Sequence, residues 1–263
     1  MSTYSQEHQE YLKKRKKTRR NVLLTQIMII ILFLIGWQVL ASFELINTFM
    51  SSSPFDVIKT IVNLFQTNQL WNHIWVTTYE TILSFFLATI IGIGCATILW
   101  WNPFLAKVFD PYLTILNSLP KVALGPLIII WVGASMNSII FMALMISAII
   151  TIINIYNGFI NVDSDYIKLL RSFHADKKQI FFKLILPSNK ENIISSLKIN
   201  ISMSLIGVIM GELLVSKEGL GYLIMYGSQV FNINLVITSV FILGILSFIL
   251  YYFICLLEKK LKS

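Results

Sequence analysis

The stretch 168-KLLRSFHADKKQIFFKLILP-187 decides how the rest of the chain is read, because it is a long basic amphipathic segment set between apolar runs of membrane length. Asp163, Ser164 and Asp165 precede it and are helix-capping residue types. Ile167, Leu170 and Phe173 then repeat at helical spacing, with Lys168 and Arg171 on other faces. A second short helix is predicted from about Asp176, with Ile180, Phe181, Leu184 and Ile185 as its apolar side and Pro187 closing it. Two such helices meeting near His174 are too apolar to hang in water and too charged to insert in a bilayer. The loop either lies along a membrane surface or docks its apolar residues into a groove on another protein.

The sequence around it is that of a membrane protein. Of 263 residues, 56% are hydrophobic and only 13% charged, with a mean hydropathy of +0.74. A helix needs roughly 20 apolar residues to cross a bilayer. The runs 21–43, 74–101, 111–132, 138–156, 193–215 and 233–257 meet that length, the third being interrupted by Pro120, Lys121 and Pro126. The predicted fold class is therefore all-α: a polytopic membrane bundle of six transmembrane helices, with a basic tail over 1–20 and the membrane domain over 21–263.

Lys and Arg set the orientation, since short loops rich in them stay in the cytoplasm. Lys13 to Lys17 with Arg19 and Arg20 lead the chain; Lys168, Arg171, Lys177, Lys178, Lys183 and Lys190 follow the fourth run; Lys259, Lys260 and Lys262 end it. The alternate loops hold almost none, so both termini and the loop over 163–187 are expected on the cytoplasmic side of the cell membrane. The first run is longer than a signal-peptide core and no small-residue cleavage pattern follows it, so no cleaved leader is expected. The net charge of +8 is confined to these inner segments, where anionic lipid accounts for it and nucleic acid is not called for.

Several local patterns read as packing. In 51-SSSPFDVIKTIVNLF-65, serine caps and Pro54 near a helix start precede Phe55, Ile58, Ile61, Val62 and Phe65 on one face, which predicts an amphipathic helix at the outer surface. Gly207 and Gly211 form a small-xxx-small pair that permits close helix approach, within the chain or at a subunit interface. Cys95 and Cys255 lie in apolar runs without metal-ligand spacing. The three histidines, His8, His73 and His174, are far apart and expected in different loops, and no Walker A, His-Glu-x-x-His or Gly-x-Ser-x-Gly pattern occurs. No metal site and no catalytic residue is expected in this chain.

The spacing of the central loop resembles the cytoplasmic "EAA" signature of ATP-binding-cassette importer permeases: Glu-Ala-Ala, three residues, Gly, nine residues, Ile-x-Leu-Pro. Its first positions fall on Lys168, Leu169 and Leu170, its glycine on His174, and its ending on Leu184, Leu186 and Pro187. The spacing is kept while the Glu, both Ala and the Gly are replaced. The stretches 117-NSLPKVALGPLIIIWVG-133 and 211-GELLVSKEGLGYLI-224 are similar to the nitrate, sulfonate and taurine branch of that family, in order and at matching spacing.

The resemblance implies a permease homodimer, a separate ABC ATPase subunit that binds ATP and Mg, an extracytoplasmic substrate-binding protein, and no cofactor in this chain. The loop, with Phe181 among its apolar anchors, would then be a coupling helix seated in a cleft on the ATPase, and Lys168 at the acidic position implies an acidic rim on that cleft. A His at the glycine position is tolerable in a left-handed turn, at a cost of about 1 to 2 kcal/mol.

Charge inside a span costs on the order of 3 kcal/mol at its centre, which singles out Lys121, beside the donor-lacking Pro120, as a pathway residue for a small anionic solute such as a sulfonate, nitrate or taurine-like molecule. Alternatively Lys121 reaches the headgroups or pairs with Glu80 or Glu212. Glu212 matches the family's glutamate in the fifth run and is the third candidate pathway residue, although a buried carboxylate also needs a partner for structural reasons. The rival reading is an ion-coupled secondary transporter in which Lys121, Glu80 and Glu212 relay protons.

Overall fold

The computed structural model describes residues 6–262, and every regular element among them is helical. In chain order these are α1 (Gln6–Ser42), α2 (Thr48–Ser51), α3 (Pro54–Gln66), α4 (Gln69–Trp101), α5 (Pro103–Ser118), a 3-10 turn (Lys121–Leu124), α6 (Gly125–Val132) and α7 (Met136–Ile160). Then follow α8 (Ser164–Ser172), α9 (Lys177–Ile180), a π-helical turn (Phe181–Ile185), α10 (Leu186–Ser188), α11 (Lys190–Val215), α12 (Leu220–Gln229) and α13 (Ile233–Lys262).

Among the described residues α1, α4, α7, α11 and α13 are each long and apolar enough to cross a membrane. A sixth crossing exists only as a broken one, because α5 and the segment Lys121–Val132 are bent by 87° to each other. The predicted third span over 111–132 is therefore not one rod. Leu119, at φ −64° and ψ 140°, has left the helical region, which is what the ring of a following proline enforces. Pro126, in contrast, occupies the first turn of α6, where a missing N–H costs nothing.

The centre of the bundle is α4, α7 and α11. Gly207 and Gly211 face the backbone of α7 at Ala143 and Ile139, and a Cβ on Gly211 would stand 2.8 Å from the Ile139 Cα. The small-residue pair is thus spent on contact within the chain and not at a subunit interface. Polar groups in mid-bundle find partners across helices: Asn200 Nδ2 on α11 donates to Thr89 Oγ1 (2.8 Å) and the Phe85 carbonyl (3.3 Å) on α4. Lys198 and Glu258 form an ion pair of 2.5 Å between α11 and α13.

The basic segment predicted as a tail is, from Gln6 on, continuous with the first span; residues 1–5 lie outside the described residues. None of the most apolar window of α1 is buried against the rest of the chain. The helix predicted after it is α3, capped by Ser53, whose Oγ accepts from the Asp56 N–H at 3.1 Å. Phe55, Ile58, Val62 and Phe65 of the predicted apolar face are exposed, Ile61 packs toward the core, and the opposite residues Val57 and Leu64 are buried.

Candidate functional site

The central loop begins as predicted, with Asp163 accepting from the Asp165 N–H at the start of α8. α8 ends in a Schellman turn: the Ala175 N–H donates to the Leu170 carbonyl (3.0 Å) and the His174 N–H to the Arg171 carbonyl (2.9 Å). That closure requires a left-handed residue between them, and His174 has φ 57°. The glycine position of the signature is therefore kept in conformation although its residue type has changed.

The second half of the loop is turned inward. Asp176 and Gln179 form a capping box opening α9. Ile180, Phe181 and Ile185 are buried with Ala96, Ile155 and Phe159 of α4 and α7, and Leu186 packs half-buried against them. Phe181 is 4% exposed; its ring centroid lies 5.0 Å from that of Trp100, 5.8 Å from Trp101 and 5.6 Å from Phe159. Lys177 adds a bond to the Trp101 carbonyl (2.5 Å) and lies 5.6 Å from the centre of the Trp100 ring. Phe181, expected as an anchor toward another protein, is instead the anchor that holds the loop to its own bundle.

Leu184 is half-buried beside Phe181 and Ile185. Pro187 is exposed and does not close the helix, which continues through Ser188. The Leu186 N–H bonds to the Phe181 carbonyl five residues back, so the ladder has widened to the π register just before the proline, the local adjustment that admits its ring.

What α8 leaves outside is apolar. Tyr166, Leu169 and Phe173 are 58%, 53% and 74% exposed, and their spacing of three and four puts them on one face. Leu170, on the other side, packs toward Ile180 and Phe181. Lys168 is exposed and bound to Asp165 at 2.8 Å.

At the opposite end of the bundle the second motif forms a closed set of hydrogen bonds. The first N–H groups of α12 have no intrahelical acceptor. The Gly219 N–H donates to His73 Nδ1 (3.0 Å), the Leu220 N–H to Thr77 Oγ1 (2.8 Å) and the Gly221 N–H to Glu212 Oε2 (2.6 Å). Thr77 in turn donates its hydroxyl hydrogen to Glu212 Oε1 at 2.6 Å. Because His73 Nδ1 accepts, its Nε2 carries the ring hydrogen. Glu212 is 1% exposed, and a Cβ at Gly219, whose φ is 101°, would collide with its carboxyl group. The Glu and the two glycines of the motif thus form one structural unit, a carboxylate cap on a helix start. His73 and Thr77, one turn apart on α4, were not singled out by sequence reasoning as cap partners, and His73 lies on a helix and not in a loop.

Lys121, half-buried, stands at the 87° break directly after the exposed Pro120. Its Nζ reaches back to the Asn117 carbonyl (3.2 Å) and Asn117 Oδ1 (3.4 Å), and it pairs with neither Glu80 nor Glu212. Among the described residues no hydrogen bond or ion pair joins Lys121 to Glu212.

Comparison with known proteins follows the same lines. A family described as binding-protein-dependent transport system inner membrane component matches residues 88–263. A putative aliphatic sulfonates transport permease protein of Bacillus subtilis is 26% identical over 249 residues, covering 95% of this chain and 88% of that protein. A taurine transport system permease protein of Escherichia coli is 23% identical over 259 residues, covering 97% and 94%. Among solved structures, a methionine ABC transporter in an inward-facing conformation superimposes with a TM-score of 0.65 at 20% identity, over 74% of this chain and 97% of that one.

Proposed function

Since the chain belongs to the family of binding-protein-dependent transport system inner membrane components, we propose that it is the permease subunit through which an ATP-driven importer passes a small anionic solute, of the sulfonate or taurine kind carried by its relatives. The chain itself is a non-catalytic membrane component. ATP and Mg belong to a partner ATPase, and an extracytoplasmic binding protein delivers the solute. Two copies form the pathway. The loop end is assigned to the cytoplasm, because the segments rich in Lys and Arg at the start of α1, in the loop and at the end of α13 belong on that side by the distribution of positive charge.

The observation that carries this reading is the exposed apolar row Tyr166, Leu169 and Phe173 on a helix whose other side packs against the Phe181 cluster through the half-buried Ile167 and Leu170. A short helix with an apolar row outward and Lys168 and Arg171 at its margin has the form of a helix that docks into a groove. Motion of two ATPase subunits would then move α8, and through Phe181 and Lys177 the ends of α4 and α7, between inward-facing and outward-facing states.

The test is copurification from the native membrane. With the parent chain a nucleotide-hydrolysing partner is expected to elute; with Phe173→Asp, exposed and so harmless to the bundle, it is expected to be lost while the permease elutes unchanged. A parent chain that elutes alone and supports ion-driven uptake after reconstitution would sink the importer reading in favour of a secondary transporter.

Lys121 supplies the anion preference in this reading. Among the described residues its hydrogen bonds run to Asn117 on its own side of the bend, so Lys121→Met is expected to leave assembly intact and to lower uptake severalfold. Uptake at the parental rate would remove Lys121 from the pathway.

A further inference from the structure

The cap at the start of α12 contains one bond that a proton on its acceptor abolishes. His73 Nδ1 accepts from the Gly219 N–H at 3.0 Å. An imidazole nitrogen accepts only while the ring is neutral, because in the imidazolium both nitrogens carry hydrogen and donate. The neighbouring bonds end on oxygen, at Thr77 Oγ1 and Glu212 Oε2, and an oxygen keeps a lone pair for accepting even when it carries a proton. His73 is therefore the member of the cap whose bond is all or nothing.

The surroundings give a charged ring somewhere to turn. His73 lines a cavity of about 510 Å³ together with Lys217 and Glu218 of the loop before α12, and Glu218 is close enough to interact with it through charge. From α12, Tyr222 stacks on the imidazole with ring centroids 5.9 Å apart, and Tyr226 lines the same cavity. α3 and α13 contribute only the apolar Leu64 and Leu235, and the first turn of α4 the neutral Gln69 and Asn72. Glu80 lies two turns further along α4, and on α11 both oxygens of Glu212 are engaged, by Thr77 and by the Gly221 N–H. Glu218 is thus the carboxylate with room for a new donor. It is exposed, and its loop is held by a local turn in which the Glu218 N–H donates to Ser216 Oγ at 3.2 Å.

We propose that His73 is a proton-operated latch on the loop before α12: neutral, it holds the Gly219 N–H, and protonated, it gives up that bond and pairs with the Glu218 carboxylate. The latch goes beyond the importer reading and does not rest on it. Its sign follows from the acceptor role: the bond is present above the ordinary range of histidine, near pH 6.5, and is lost as the pH falls through it. The bonds from Leu220 to Thr77 and from Gly221 to Glu212 stay, so acid loosens residues 216–219 without detaching α12. In the orientation given above the latch faces the extracytoplasmic side, and the proton that works it comes from there.

The experiment is hydrogen exchange at the Gly219 amide of the full chain in lipid nanodiscs, between about pH 7.5 and about pH 4.5, with the intrinsic pH dependence of exchange divided out. Protection in the parent is expected to fall by about tenfold toward acid, the loss of one hydrogen bond, while protection at residues 220 and 221 holds. His73→Gln keeps an acceptor oxygen that does not titrate, and its Gly219 protection is expected to be the same at both ends of the range. Glu218→Gln, at an exposed position that does not threaten the fold, leaves the imidazolium without its new partner, and the fall toward acid is expected to shrink. Both variants are checked for parental elution from a sizing column. Protection at Gly219 that stays constant in the parent, or that falls as far in both variants as in the parent, would overturn the proposal; the second result would assign the acid response to the buried carboxylates Glu212 and Glu80.

Discussion

Replacing Phe181 with alanine is expected to lower the stability of the permease by about 3 to 5 kcal/mol, the range for deleting a large aromatic side chain from a packed interior. The ring is almost fully enclosed and touches Trp100, Trp101, Phe159 and Phe182 at centroid distances of 5.0, 5.8, 5.6 and 5.2 Å. Its removal opens a cavity where the loop meets α4 and α7, and both elements are long helices that do not easily collapse into it. Phe182, its neighbour in sequence, is 54% exposed, and Phe182→Ala is expected to change stability by only about 0.5 to 1 kcal/mol. Thermal unfolding of the detergent-solubilised protein, read by the surviving monodisperse peak, separates the two. Equal midpoints for both variants would mean that the loop is held by something other than Phe181.

The second large effect is expected at the other end of the bundle. Glu212→Ala removes the acceptor for the Thr77 hydroxyl and for the Gly221 N–H, both at 2.6 Å, and leaves two buried donors unpaired at a cost of about 1 to 3 kcal/mol each. Glu212→Gln keeps one acceptor oxygen and is expected to lose about half as much. Gly219→Ala acts on the same unit from the opposite side, by pushing a methyl group into the Glu212 carboxyl at a backbone angle that disfavours side chains. Hydrogen exchange at the amides of residues 219–221 reports the damage directly: all three should exchange faster in Glu212→Ala. Unchanged protection there would show that the cap is not what orders the start of α12.

These two sites also mark where the sequence was legible and where it was not. The apolar runs gave five spans because length and hydropathy are properties of a run by itself. The third run misled because hydropathy is blind to direction, and the proline at position 120 redirects the chain through 87° without changing its oiliness. The loop was legible as two amphipathic helices, but periodicity states only that a face is apolar. It does not say whether that face meets the chain's own bundle or a partner, and α8 and the Phe181 segment divide those roles between them. Glu212 and its glycines were visible as a motif, yet their function depends on Thr77 and His73, which stand more than a hundred residues away on α4 and carry no local signal.

α4 has a property that follows from its two ends. Its 33 residues make a rod about 50 Å long at roughly 1.5 Å per residue. The lower end is gripped by Phe181 and Lys177, and the upper end holds α12 through His73 and Thr77. Neither grip contains a flexible linker. A rocking of the rod by about 10° around its middle would swing each end by about 4 Å in opposite senses. The chain therefore carries, in one helix, a lever with both hands occupied: whatever pulls on one face of the membrane is felt on the other without slack.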